Sequence, residues 1–282
     1  TESAEEFEYN LDTARKYMQL GDWNTAFEYL NVHLKNDPKS CDGYFLRALI
    51  HQNKKDYPNA LSDFNNAIKY WKKGLSIKEY AIYWFRADVY KSIEMYDKAE
   101  ADFTKAYKSA LKIKDHTIAY AILFDRAEHY YSIGNYDKSD ADFKLMLKEN
   151  ELDVSAMIGL ARNMIERGEY KQAIEIINKC EKLNSSYSEV YRFRMQAYDK
   201  LGETTKAIND MMLYIQTAEN IADDKLYNII DKNLEYSLSA VKKKFAETNN
   251  AYYKHLLVYI YRTKHDYVNA IVEYNKMEKD YG

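Results

Sequence analysis

The stretch Phe85-Arg86-Ala87-Asp88-Val89-Tyr90, followed by Tyr96-Asp97-Lys98-Ala99 and then Phe103 and Ala106, decides how this chain folds. The same offsets recur upstream in Arg47-Ala48, Tyr57, Ala60, Phe64 and Ala67. They recur downstream in Arg126-Ala127, Tyr130, Tyr136, Ser139 and Phe143, with the larger Met146 in the last place. Small and aromatic residues at helical spacing, interrupted before the second aromatic, predict two short antiparallel helices. The small residues let the backbones approach and the aromatics fill the space between them.

A small residue in the middle of each first helix sets the register: Ala14, Ala48, Ala87, Ala127, Ala161, then Met195 and Val258. The units resemble the tetratricopeptide repeat, a helix–turn–helix of about 34 residues. The unit with Tyr17, Gly21-Asp22-Trp23, Ala26, Leu30 and Asp37-Pro38 is the nearest to that pattern. The resemblance implies an all-α fold, a right-handed α-solenoid of antiparallel helix pairs, with about seven units and one inserted helix. The expected bounds are 7–40, 41–79, 80–119, 120–153, 154–187 and 188–221, an inserted helix at 222–248, and a degenerate unit at 251–282, all in one solenoid. The second and third units carry extra residues in Ile68–Ile77 and Tyr107–Lys114, which read as lengthened second helices. In the insertion, Leu226, Ile229, Ile230, Leu234, Leu238, Val241 and Phe245 fall at mostly three- and four-residue steps, an amphipathic helix with a break near Asn233. The chain begins at Thr1 and shows no polar capping helix before Gly282, so a piece of a longer protein is expected.

Composition bounds the chemistry. The chain has 282 residues, 46% of them hydrophobic and 30% charged, which argues against disorder. Two prolines and eight glycines leave little room for a turn-rich β fold. A net charge of −3 without a basic stripe argues against a nucleic-acid partner. Lys242-Lys243-Lys244 reads as a solvated helix face. No apolar run approaches a membrane span. Cys41 and Cys180 are far apart and are expected to be free.

The six histidines are scattered and form no metal-ligand pair, so no metal and no cofactor are expected. Phosphate-binding loops, nucleophile elbows and catalytic cysteine signatures are all absent. The chain reads as a non-enzymatic module.

On the resemblance, first helices line a concave groove that binds a peptide segment of a partner protein. The groove positions lie three and two residues before the small residue and one after it. These places give Phe45, Leu49, Trp84, Phe85, Asp88, Phe124, Asp125, Glu128, Arg162 and Phe193 as candidate peptide-binding residues, with Leu11, Leu46, Ile158, Gly159 and Arg15 in equivalent places. The surface is aromatic and partly acidic. One subclass of the repeat grips the terminal carboxylate of chaperone tails with Lys, Asn and Arg. Here those places hold Leu11, Arg15, Leu46, Ala81 and Phe85, or Phe45, Leu49, Phe85, Ala121 and Asp125 one unit on, so that clamp is missing. The run through Gly159-Leu160-Ala161-Arg162-Asn163 and Tyr191-Arg192-Phe193-Arg194 resembles exported multi-repeat proteins of Bacteroidetes, which implies a periplasmic setting; a cytoplasmic one is the alternative. The alternatives to a peptide-binding scaffold are a peptide-sensing regulatory receptor and the docking domain of a longer enzyme.

Overall fold

Helix starts and stops are written in a few side chains. Asp22, Asp56 and Asn135 each accept a hydrogen bond from the backbone N–H three residues on, which caps the second helix of a pair. Gly21, Gly134, Gly168 and Gly202 end first helices with φ between 74° and 81°, a left-handed step that glycine takes without strain. Lys55 and Glu94 take it too, at 59° and 60°, against the steric preference of an L side chain. Replacing Lys55 with glycine should therefore raise stability by about 0.5–1 kcal/mol. A chemical denaturation curve moved to lower denaturant would contradict that.

The computed structural model describes residues 4–218 and 225–281, which hold sixteen helices and no strand. They form two compact units, one ending at Gly134 and one beginning at Asn135. The first contains α1 (Ala4–Gln19), α2 (Trp23–Asn36), α3 (Cys41–Asn53), α4 (Tyr57–Tyr70), α5 (Glu79–Ser92), α6 (Tyr96–Lys112) and α7 (His116–Ser132). Successive helices pack as hairpins, α1 with α2, α3 with α4 and α5 with α6, and α7 lies on α6. The first helices α1, α3 and α5 also touch one another in order.

The second unit contains α8 (Tyr136–Glu149), α9 (Val154–Glu166), α10 (Tyr170–Leu183), α11 (Ser188–Lys200) and α12 (Thr204–Thr217). After residues 219–224, which lie outside the described ones, come α13 (Lys225–Asp231), α14 (Leu234–Thr248), α15 (Ala251–Thr263) and α16 (Tyr267–Tyr281). The expected inserted helix, 222–248, thus begins outside the described residues. Within them it is two helices, parted at Lys232 and Asn233, with Asn233 capping α14. Leu226, Ile229, Ile230 and Val241 are buried in one core with α11, α12 and α15. Tyr253 of α15, fully buried, donates its hydroxyl to the Met212 carbonyl of α12 at 2.9 Å.

The recurring offsets are the packed positions. Ala14, Ala48, Ala87, Ala127, Ala161 and Met195 are all without solvent contact. So are Ala26, Ala60, Ala99, Ser139, Ala173 and Ala207 on the second helices, and the larger residues four places further on: Leu30, Phe64, Phe103, Phe143, Ile177 and Met211. Small on small with a large residue one turn later is ridge-into-groove packing at close approach.

A polar staple runs through the same frame. The residue before the central small one is Arg47, Arg86 or Arg194, and its guanidinium grips an aspartate sixteen residues later on the second helix. The two bonds are 2.7 and 2.9 Å to Asp63, 2.6 and 2.8 Å to Asp102, and 2.8 Å each to Asp210. All three aspartates are buried. Arg86 also lies between the rings of Tyr83 and Tyr90, 5.6 Å from each. The unit of α9 and α10 has Leu160 and Ile176 in the two places instead.

One expectation about the insertions fails. The extra residues of the third unit do lengthen its second helix, and α6 has 17 residues against 14 in α2. Those of the second unit do not, for α4 stops at Tyr70 with 14. Trp71 leaves the helix with ψ 138°, its indole N–H donates to the Ile77 carbonyl at 2.9 Å, and Gly74 turns at φ 100°. That side-chain bond and the glycine outweigh the helix propensity of the flanking residues. Cys41 and Cys180 are free and buried, and burial pushes their thiols up to about 12 and about 11.

Candidate interaction surface

Because the small residue of each first helix faces the paired helix, the residues three before, two before and one after it fall along a single side. In the first unit this side carries Phe45 and Leu49 from α3, Trp84, Phe85 and Asp88 from α5, and Phe124, Asp125 and Glu128 from α7. The structure joins several of them. The rings of Phe45 and Phe85 meet edge to face, their centroids 5.7 Å apart, and Trp84 lies 6.4 Å from Phe85. The Trp84 indole N–H donates to Asp125 Oδ2 at 2.8 Å, which ties α5 to α7.

Depth differs along this side. Phe85 is 37% exposed, while Leu49, Trp84, Asp88, Phe124, Asp125 and Glu128 are half-buried. Phe45 is only 5% exposed, held between Phe64 and Phe85, and supports the surface from below. In the second unit Arg162 is half-buried and Phe193 is 7% exposed within the core, beneath the Arg192 guanidinium. Gly159, in an equivalent place, is covered by the ring of Phe143. Position along the helix thus picks the side, but what packs next to each residue decides whether it can touch a ligand.

The acidic part of the surface has an electrostatic signature. Burial raises the Asp88 carboxyl, Asp125 raises it further, and Lys91 at 3.4 Å works the other way. A folded-state value above the ordinary 3.8 means that the folded protein holds this proton more tightly than the unfolded chain. The stability it contributes is full below 3.8 and is lost as pH rises through the raised value. Asp88→Asn should therefore melt above wild type at neutral pH, and the gap should close on acidification below that window. A gap that widens in acid would contradict this environment.

Among the described residues no group of three His, Cys, Asp or Glu could hold a metal ion, and no helix is long and apolar enough to cross a membrane. This side offers ring contact, hydrogen bonding and negative charge.

Residues 80–112, which are α5, its turn and α6, match the tetratricopeptide repeat family model. Helix pairs of the same kind recur within each of the two compact units, so the chain contains a tetratricopeptide repeat and has the all-α repeat fold that serves in general as a protein–protein interaction scaffold. More particularly, it is similar to a tetratricopeptide repeat protein of Parabacteroides merdae at 23% identity, with 90% of this chain and 98% of that one covered and a TM-score of 0.65. It is similar to the C-terminal part of a TPR repeat-containing protein of Cytophaga hutchinsonii at 14% identity, covering 95% and 93%, with a TM-score of 0.60. YrrB, described as a TPR protein with an unusual peptide-binding site, matches at 14% identity over 72% of this chain and 97% of its own, with a TM-score of 0.51. Likeness at these identities shows the fold alone. No curated protein matches the chain in sequence.

Proposed function

We propose that the protein is a non-enzymatic scaffold whose first-helix side in the first unit binds a peptide segment of a partner protein. The observation that carries this reading is Phe85, a partly exposed ring braced by Phe45 and Trp84, with Trp84 itself fixed by Asp125. Rigid aromatic area presented on a helix costs little conformational entropy to use, which is why such residues dominate binding energies. Leu49, Phe124 and Glu128 extend the contact, Asp88 and Asp125 give it negative charge, and Arg162 is its counterpart in the second unit. Phe45 holds the surface in place from below. That YrrB is described as having a peptide-binding site on the same fold agrees with this use.

The partner need not be identified for the test. Peptides selected from a displayed random library on the wild-type protein should lose about 2 kcal/mol of binding, roughly 30-fold, on Phe85→Asp. Some stability should go with it, because Phe85 also covers Phe45, so the comparison is made at a temperature where the helical circular dichroism of the variant matches that of the wild type. Peptides that bind wild type and variant alike would sink the assignment of this side.

A further inference from the structure

Exposed large apolar side chains are scattered singly over most of the described residues, but five gather on one helix. On α16, Tyr267 is 56% exposed, Val268 74%, Ile271 59%, Val272 44% and Tyr274 52%. At 100° per residue these five share one arc, while Asn269, Glu273 and Lys276 fall on the opposite arc.

Two of the five stand where no other second helix carries a branched aliphatic or aromatic side chain. One residue after the start of the second helix the chain has Asn24, Pro58, Asp97, Asp137, Lys171 and Thr205, and then Val268. Five residues after it the chain has Glu28, Ser62, Ala101, Ala141, Glu175 and Asn209, and then Val272. Most of those earlier residues are exposed although further helices follow them. Stacking of another repeat therefore leaves these two places largely in water, and repeat stacking does not account for valine there. A different contact does.

We propose that α16 is a self-association surface that pairs with α16 of a second copy of this chain about a two-fold axis. The stripe is self-complementary in the antiparallel sense. With Ile271 of both copies on the axis, Val268 of one lies opposite Tyr274 of the other, and the reverse contact follows by symmetry. The exposed fractions correspond to roughly 600 Å² of apolar surface on each copy, at the upper end of what monomers leave uncovered. Two copies together bury about 1,200 Å², the lower bound for a specific interface, so the dimer is a weak and concentration-dependent one.

Sedimentation equilibrium over a series from about 1 to 200 µM tests this, since a minimal interface dissociates within that range. Wild type should move from one chain mass toward two. The double variant Val268→Asp, Val272→Glu places on α16 the residue types that Asp97, Asp137, Glu28 and Glu175 already supply at those positions. It should raise the dimer dissociation constant by about 100-fold or more, because carboxylates would enter an apolar seam, while the melting temperature of the dilute protein holds. If the double variant melts early, Val268→Asp alone gives the reading, as that side chain is the most exposed of the five. A wild type that stays monomeric throughout, or a folded variant that dimerises as well as wild type, overturns the proposal.

Discussion

Replacing Arg86 with alanine should cost about 3–5 kcal/mol of stability, among the largest effects of any single substitution in the chain. The reason lies less in the attraction of the Arg86–Asp102 pair than in what remains when half of it goes. Asp102 is 2% exposed, and without the guanidinium it would be a buried carboxylate with two bonds lost. Tyr83 and Tyr90 would also lose the cation between their rings. The double replacement Arg86→Leu, Asp102→Ile should recover most of that cost, because it copies the pair Leu160 and Ile176 found in the unit of α9 and α10. Buried ion pairs exchanged for packed apolar residues are often neutral or better. Urea denaturation of the wild type, two singles and the double gives the cycle. A single that loses under 1 kcal/mol, or a double as unstable as the worse single, would contradict the account.

The second large effect is at Phe143 and Gly159. A Cβ on Gly159 would fall 2.3 Å from Phe143 Cζ, with two more ring carbons within 2.6 Å. Gly159 therefore lets a fully buried ring rest directly on the backbone of α9. Phe143→Ala should cost about 3–5 kcal/mol by opening a cavity under that backbone, and Gly159→Ala about 1–3 kcal/mol by overpacking. The pair should be far from additive. In Gly159→Ala, Phe143→Leu the smaller side chain makes room for the new methyl, so the double should be clearly more stable than the sum of its singles. Additive losses in thermal melts would mean that the ring does not rest on Gly159.

These two sites show how far sequence reasoning reaches and where it stops. The small and aromatic offsets are legible because they are the packed positions, and their spacing is what lets two helices approach. Arg47, Arg86 and Arg126 stand beside the small residues and are visible in the pattern. The role of Arg47 and Arg86 is not, because the aspartate that answers each lies sixteen residues on, across a turn, at no helical period. Gly159 has the offset of a surface position, yet the ring that covers it comes from another helix. Phe45 is the same case, since Phe64 and Phe85 close over it. The end of α4 is hidden for a related reason: the residues after Tyr70 tolerate helix, and the bond from Trp71 to Ile77 that ends it is a contact, not a propensity.

A partner peptide is expected on the side of the first unit that holds Trp84. The chain has three tryptophans, and each reports a different place: Trp23 opens α2, Trp71 closes the loop after α4, and Trp84 sits beside Phe85 with its N–H on Asp125. Fluorine NMR of protein labelled with 5-fluorotryptophan resolves them, with single Trp→Phe variants to assign the signals. On titration with a library-selected peptide, the account predicts that the Trp84 resonance moves in proportion to occupancy while those of Trp23 and Trp71 stay fixed. A saturating peptide that shifts Trp23 or Trp71 and leaves Trp84 unmoved would contradict it.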